Sequence, residues 1–133
     1  MRASFLPDRH RESTSEPLNV KECRATATAR ALFEAFFERR RNDAELLISD
    51  DFAFTSPYDD AINRAAYFAR CWSNGDRFLD FKIERAAEDA DGVFVTYACK
   101  LKDGNVLRNT EYLKVRHDQV VHVEVYFGAT YRD

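Results

Sequence analysis

Two runs of alternating apolar and polar residues, 107–115 and 120–127, form the clearest hydrophobic pattern of the chain. Successive side chains of a strand point to opposite faces, so each run predicts a strand with one buried face. We expect a hairpin with the three-residue turn 117–119, because a turn shorter by one residue would mix apolar and polar residues on each face. The sheet register is therefore predicted from the side-chain pattern alone.

The predicted hairpin has one mostly apolar and one mostly polar face. Its register sets Glu111 opposite Val125 and Asn109 opposite Phe127. The apolar face also contains Leu107, Leu113, Val115, Val121 and Val123. The polar face contains Arg108, Thr110, Tyr112, Lys114, His122, Glu124 and Tyr126.

Glu111 is the carboxylate that this register turns towards the apolar side. An unpaired carboxylate in apolar surroundings is costly, so it takes up a proton or finds a partner. One interpretation makes Glu111 a polar anchor or acid in a pocket, since perturbed carboxyls mark candidate sites. The alternative is a glutamate at the rim of the sheet, solvated or paired with an arginine.

Helical periodicity precedes the strands. The segment from residue 19 or 20 to 41 carries one apolar stripe and predicts a long helix. A short helix over 43–48, capped by Asn42, and a strand over 52–55 are expected next. A third helix is predicted over 61–72, where an aspartate just before it is more often a helix cap than a second site carboxylate. The stripe of the first helix contains Ala29, Leu32, Phe33, Phe36 and Phe37.

Strand periodicity then continues to the end. Residues 78–86 alternate with Leu79, Phe81 and Ile83 on one side, and residues 93–102 form a long second strand. Asp103-Gly104 is a hairpin signal. Helices followed by antiparallel strands predict an α+β fold with the helices on one face of a curved sheet.

The bulk composition fits one folded domain. The 133 residues are 45% hydrophobic and 32% charged, with a formal net charge of −3. Residues 1–18 are polar and predict an N-terminal extension, flexible or anchored by Phe5 and Leu6; residues 19–133 form the predicted domain. The cluster 39–41 is too short for a nucleic-acid footprint, so we expect no nucleic-acid partner.

Several classes of site and location are disfavoured by the sequence. No apolar run approaches the roughly 20 residues of a membrane span, and the first residues do not resemble a signal peptide. Three separated cysteines favour a reducing cytoplasm and, with the three histidines, form no metal-ligand spacing. We therefore expect a cytoplasmic protein without membrane contact, metal or cofactor.

The order of these elements resembles the nuclear transport factor 2-like superfamily, in its SnoaL-like and ketosteroid isomerase-like branch. The resemblance covers about residues 25–130. It rests on the aromatic helix, on the segment LISDDFAFTSP at 47–57 and on VVHVEVYFG at 120–128. It implies a cone-shaped, strongly curved antiparallel sheet packed on three N-terminal helices, a cystatin-like α+β roll with a deep apolar pocket, often dimeric.

The isomerases of this branch carry residues that this chain has mostly replaced. Their general-base Asp precedes the loop proline, where this chain has Ser56 before Pro57. Their first-helix tyrosine falls at about Leu32 or Phe33, which cannot donate a hydrogen bond. Their second oxyanion donor, a protonated Asp on the penultimate strand, matches Glu111. The resemblance therefore argues against standard steroid isomerisation.

Other activities of the branch also lack their residues. Its dehydratases and cyclases use inward His and Asp pairs, and no histidine of this chain is predicted to point inward. Its epoxide hydrolases use an Asp-Arg-Asp set that would need an acid near Val125. The reaction class of any enzyme is left as metal-free isomerase, lyase or hydrolase-type acid-base chemistry.

We therefore hypothesise a small-molecule binding protein, or an enzyme of the SnoaL-like type, for an apolar or partly polar organic ligand. If there is chemistry, Glu111 is the predicted general acid or base, with Asn109 or Tyr97 holding an oxygen. The predicted pocket lining is Phe33, Phe36, Phe54, Ser56, Tyr58, Phe68, Trp72, Tyr97, Asn109, Glu111, Val123, Val125 and Phe127.

The alternative hypothesis is a non-catalytic interaction module that uses the outer face of the last hairpin. Tyrosine and arginine are frequent interface anchors. The same face is also the predicted contact of a homodimer, which is compatible with a pocket protein. Its residues are Arg108, Tyr112, His122, Glu124 and Tyr126.

Overall fold

The computed structural model describes residues 20–132, and their side chains from 24 to 131. Within these residues, two α-helices come first, then two strands, a third α-helix, one 3₁₀ helix and finally four strands. The expectations for residues 1–18, including an anchoring role of Phe5 and Leu6, lie outside the described residues. The helices are α1 (Val20–Phe37), α2 (Arg41–Leu47) and α3 (Arg64–Arg70), with the 3₁₀ helix at Trp72–Arg77.

Six strands form one sheet in the order β2-β1-β6-β5-β4-β3. Neighbouring strands are antiparallel except β1 and β6, which run parallel. This confirms the α+β class with helices packed on a curved, mostly antiparallel sheet. The strands are β1 (Ile48–Ser56), β2 (Asp59–Asn63), β3 (Phe78–Glu88), β4 (Gly92–Leu101), β5 (Asn105–Arg116) and β6 (Gln119–Arg132).

The turn between β5 and β6 differs from the expected three residues. Arg116 pairs with Gln119, so the turn consists of His117 and Asp118 alone, both with positive φ as in a type I′ turn. A register shift next to the turn leaves Val121 without an opposite residue. This bulge restores the expected faces, because one extra residue on β6 compensates for the shorter turn.

The expected pairs across this hairpin are present beyond the bulge. Glu111 lies opposite Val125 and Asn109 lies opposite Phe127. On β4, one set of alternate residues is buried: Val93, Val95, Tyr97, Cys99 and Leu101. Burial of one face therefore governs the register of these strands, as the side-chain pattern predicts.

Strand β3 places one residue differently from the expected alternation. Phe78 pairs with Leu101 and Asp80 with Lys100, so a register shift lies at Leu79. Leu79 is 61% exposed, whereas Phe81 packs against Phe37 with ring centroids 4.4 Å apart. The shift turns Leu79 outward because it interrupts the two-residue alternation.

The helix boundaries also differ from the expected ones. Helix α1 ends at Phe37, and Arg39 follows with φ of 61° while its guanidinium donates to the carbonyls of Phe36 and Trp72. Residues 61–63, expected to begin the third helix, belong instead to strand β2, and the helix begins at Arg64. Asn63 caps α3 by accepting from the amide of Ala66 at 2.9 Å.

Candidate functional site

A cavity of about 440 Å³ lies between helix α1 and the inner face of the sheet. This volume is within the usual range of small-molecule sites. Aromatic residues of α1 form one wall: Phe33 packs on Tyr97 with ring centroids 5.0 Å apart. The opposite wall consists of the inward residues of β5 and β6, including Val123 and Val125.

Three polar side chains form a hydrogen-bonded chain on the cavity wall. Tyr97 donates its hydroxyl to Glu111 Oε2 at 2.6 Å, and Asn109 Nδ2 donates to the Tyr97 hydroxyl at 3.2 Å. Asn109 Oδ1 accepts the backbone N–H of Gly128 at 3.1 Å. That last bond orients the Asn109 amide, because an N–H group must meet its oxygen. Each side chain is therefore held in place by the next.

Glu111 is half-buried as a residue and lines the cavity. Among the described residues, no lysine, arginine or histidine forms an ion pair with it at 4 Å or less. Burial raises the pKa of Glu111 from 4.5 to about 7, and the hydrogen bond from Tyr97 opposes that rise. Near neutral pH the site therefore contains a carboxyl that can be protonated or ionised.

The Tyr97 hydroxyl remains neutral at this site. Burial raises its pKa well above the ordinary value, and the neighbouring Glu111 charge adds to the effect. Tyr97 can therefore donate a hydrogen bond but does not act as a base near neutral pH.

A second polar group lies on the cavity wall, at the end of β1. Asp59 Oδ1 pairs with Arg70 Nη2 at 2.6 Å, and Asp59 Oδ2 accepts the Ser56 hydroxyl at 3.1 Å. Asp59 and Asp60 are the aspartates before the predicted third helix, and neither caps it, since Asn63 has that role. The Cys71 thiol lies 4.0 Å from Asp59, and burial raises the pKa of Cys71 to about 11.

Ser56 and Glu111 lie at the same level of the sheet. Thr55 pairs with Glu124, so the next residue, Ser56, is level with Val125, which pairs with Glu111. Two strand spacings of about 4.8 Å separate their backbones by about 10 Å. A small ligand in the cavity can therefore contact Ser56 and Glu111 at the same time.

The structure brings eleven of the thirteen residues expected in the pocket to this cavity. Tyr58 and Phe127 stand at its mouth, where they are 81% and 51% exposed with ring centroids 5.6 Å apart. Phe68 and Trp72 do not line it. They are buried in the core, packed on each other with ring centroids 5.8 Å apart.

Other lining residues were not predicted for the pocket, although Leu107 and Leu113 were expected on the apolar face of the hairpin. The aromatic stripe of α1 and the alternation of β1 were signals for some of them; the 3₁₀ helix left no such signal. The additional residues are Leu32, Phe37, Phe52, Asp59, Tyr67, Cys71, Asn74, Arg77, Phe78, Leu107, Leu113, Gly128 and Thr130.

The outer face of the sheet carries the residues expected at an interface. Arg108 pairs with Glu84 at 3.0 Å, and the Tyr126 hydroxyl donates to Glu124 at 2.9 Å. The remaining two also have polar partners: the Tyr112 hydroxyl donates to Asp89 at 2.9 Å, and His122 Nε2 lies 3.4 Å from the Thr55 hydroxyl. Exposed apolar side chains that the pattern did not single out accompany them: Leu79, Phe94 and Tyr131.

Metal-ligand groups are not clustered in the part of the chain that the structure describes. Cys71 and Cys99 are buried and free. No helix within residues 20–132 has the length and apolar character needed to cross a membrane.

No family model matches the sequence, and no curated protein matches it. Solved structures match by shape. A putative ketosteroid isomerase from Kribbella flavida is 20% identical, with a TM-score of 0.67 over 83% of this chain and 82% of that chain. An NTF-2 like protein of unknown function from Burkholderia xenovorans is 16% identical, with a TM-score of 0.70 over 84% and 88%.

A third similar structure is an LEH-like epoxide hydrolase from M. tuberculosis, 16% identical, with a TM-score of 0.63 over 80% of this chain and 84% of that chain. Identities this low support a common fold and leave the activity open. The cavity between the long helix and the curved sheet, together with these matches, shows that the chain has the NTF2-like fold.

Proposed function

We propose that the chain binds a small, largely apolar organic molecule in this cavity and that Glu111 acts on it as an acid or base. One observation carries the proposal: the Glu111 carboxyl faces the cavity without a cationic partner among the described residues and is held by Tyr97. A buried carboxyl that faces an apolar cavity is a recurring acid-base arrangement.

The protonation state of Glu111 sets what it contributes. Below its pKa of about 7 the carboxyl is protonated, and its O–H donates a hydrogen bond to an oxygen of the ligand. Above that value the carboxylate accepts a proton from an acidic C–H or O–H group. Because Tyr97 already donates to Oε2, the other carboxyl oxygen is the one left for a contact with the ligand.

Asp59 is the second group of the proposed chemistry. Its two oxygens are held by the ion pair with Arg70 and by the hydrogen bond from the Ser56 hydroxyl. Two carboxyl groups in contrasting surroundings form an acid and base pair in several enzymes. Ser56 itself, at the position of the isomerase base, has no useful basicity, which argues against standard steroid isomerisation by this chain.

The test uses nitrobenzisoxazole, a small aromatic probe that a positioned carboxylate opens by removing its ring C–H proton. The proton passes to the carboxylate, the C–H electron pair forms the nitrile, and the N–O bond breaks to release a coloured phenolate. We expect turnover that rises with pH through about 7, because only ionised Glu111 is a base.

Glu111→Gln should lower that turnover by at least about 100-fold, the usual contribution of a general base. Asp59→Asn tests the second carboxyl group on the other side of the cavity, and Asp50→Asn, at an exposed position outside the cavity, is the control. Full activity of Glu111→Gln would refute the role of Glu111. Loss of turnover only in Asp59→Asn would assign the base to Asp59 instead.

We further propose that the outer sheet face contacts a second copy of the chain, or another protein in the interaction-module alternative. Exposed rings favour this: Phe94 is 42% exposed and packs against Tyr112 in a tilted arrangement with ring centroids 4.6 Å apart, and Tyr126 is 54% exposed. Aromatic residues are enriched at interfaces. Tyr126→Asp should convert a dimer to a monomer in solution scattering; a dimer that persists would exclude this face.

A further inference from the structure

The cavity contains an arginine, Arg77, that forms no ion pair with any carboxylate in the described part of the chain. Arg77 lines the cavity and is exposed, which places it where the cavity meets solvent. Within the described residues, no carboxylate lies within 4 Å of its guanidinium. Arg39, close by in the fold, is by contrast paired with Asp76 at 3.0 Å. The free guanidinium is thus available to a ligand.

Asn74 lies on the same side of the 3₁₀ helix as Arg77. Residues three apart are eclipsed in a 3₁₀ helix, so both side chains point in one direction, and both line the cavity. The structure gives the Asn74 side chain no hydrogen-bond partner among the residues it describes. A guanidinium and an amide together form a natural donor set for an oxyanion.

The charged side chains around the cavity have a net charge of one positive unit when Glu111 is neutral. Three charged side chains are among its described lining: Glu111, Asp59 and Arg77. Asp59 is compensated by Arg70. Glu111 is neutral below about pH 7, because burial raises its pKa to that value. A ligand with one negative charge at the mouth therefore complements the cavity.

Arg77 lies far from Glu111. Burial raises the pKa of Cys99 to about 12, and the charge of Arg77 opposes that rise. Cys99 pairs with Leu107, four residues before Glu111 on β5, so the two levels are about 13 Å apart. The arginine is thus close to the outer level of the cavity and the carboxyl to the inner one.

We propose that the ligand is an elongated organic anion, whose carboxylate, sulfonate or phosphate binds Arg77 and Asn74 at the mouth. Its apolar body extends inward so that the far end reaches Glu111 and Tyr97. This inference rests on the proposed function, since it requires the same cavity to be the ligand site.

Two fluorescent probes with the same body test it: anilinonaphthalene sulfonate and the uncharged phenylnaphthylamine. Titrations are made near pH 6, below the pKa of Glu111, which is about 7. Arg77→Gln should weaken binding of the sulfonate by roughly tenfold, the strength of one charge-assisted contact. Binding of the uncharged probe should stay the same.

Arg85→Gln is the matched control. Arg85 is exposed, does not line the cavity and has no ion-pair partner in the described part of the chain, so its removal changes the net charge equally. Equal sulfonate affinity in wild type and Arg77→Gln, with phenylnaphthylamine still bound, overturns this inference alone. If phenylnaphthylamine does not bind at all, both this inference and the proposed binding of a ligand in the cavity are refuted.

Discussion

Replacing Glu111 by glutamine tests the reasoning about the site through stability, without any substrate. Glutamine has almost the same shape and can still accept the hydrogen bond from Tyr97, so packing changes little. It cannot ionise, so it removes the cost of placing a charge in apolar surroundings. The expected consequence is a pH-dependent difference in the free energy of unfolding between the two proteins.

The size and sign of that difference follow from linkage. The pKa of Glu111 is raised by burial from 4.5 to about 7, so between these values the folded protein binds a proton that the unfolded chain releases. The wild type therefore loses stability as pH rises through this interval. A pKa difference of this size changes the free energy of unfolding by roughly 3 kcal/mol. Because water in the cavity partly solvates the charge, we expect a change of about 2 kcal/mol.

The assay is urea unfolding of both proteins at several pH values from about 4 to about 8. Relative to wild type, Glu111→Gln should gain about 2 kcal/mol across this range, with most of the gain before about pH 7. Asp50→Asn is the control, because Asp50 is exposed and has no ion-pair partner among the described residues. A difference curve as flat as that of Asp50→Asn would refute the apolar setting of Glu111.

Three further results are expected. Tyr97→Phe should move the pH midpoint of the Glu111 difference curve upward, because the lost hydrogen bond favours the ionised form; an unchanged midpoint would contradict the observed bond. Gly128→Ala should lower the unfolding free energy by about 2–4 kcal/mol. Its new Cβ would lie 2.0 Å from the carbonyl oxygen of Arg108, and urea unfolding without such loss would count against the local geometry. His117→Gly should raise the free energy of unfolding by about 0.5–1 kcal/mol, because His117 has φ of 55° and glycine adopts this conformation more easily. The thermal midpoint should rise slightly, and a lower midpoint would contradict this prediction.

The inward position of Glu111 was predictable because alternation along a strand is a local property. Burial of Val123 and Val125 requires the whole face to turn inward, and Glu111 turns with it. The length of the turn was not predictable in the same way. A two-residue turn with a bulge at Val121 and a three-residue turn without one give the same faces, so the side-chain pattern does not separate them.

The second polar group of the site, Asp59 with its partners, could not be predicted from the local sequence pattern. Asp59 has the features of a helix cap in the sequence, but Asn63 takes that role and frees residues 59–63 to pair with β1. Its ion pair with Arg70 then depends on how α3 packs on that strand. Contacts between separate elements form only once the chain has folded, so they produce no periodic pattern in the sequence.

By itself, the sequence determined the class of the fold, the faces of β4 to β6 and the inward carboxyl of Glu111, because periodic burial specifies these element by element. The parallel pairing of β1 with β6, the direction of Arg77 into the cavity and the withdrawal of Phe68 and Trp72 from it were decided by tertiary structure. Each depends on the relative placement of elements, which is set by packing over the whole core rather than by any one segment.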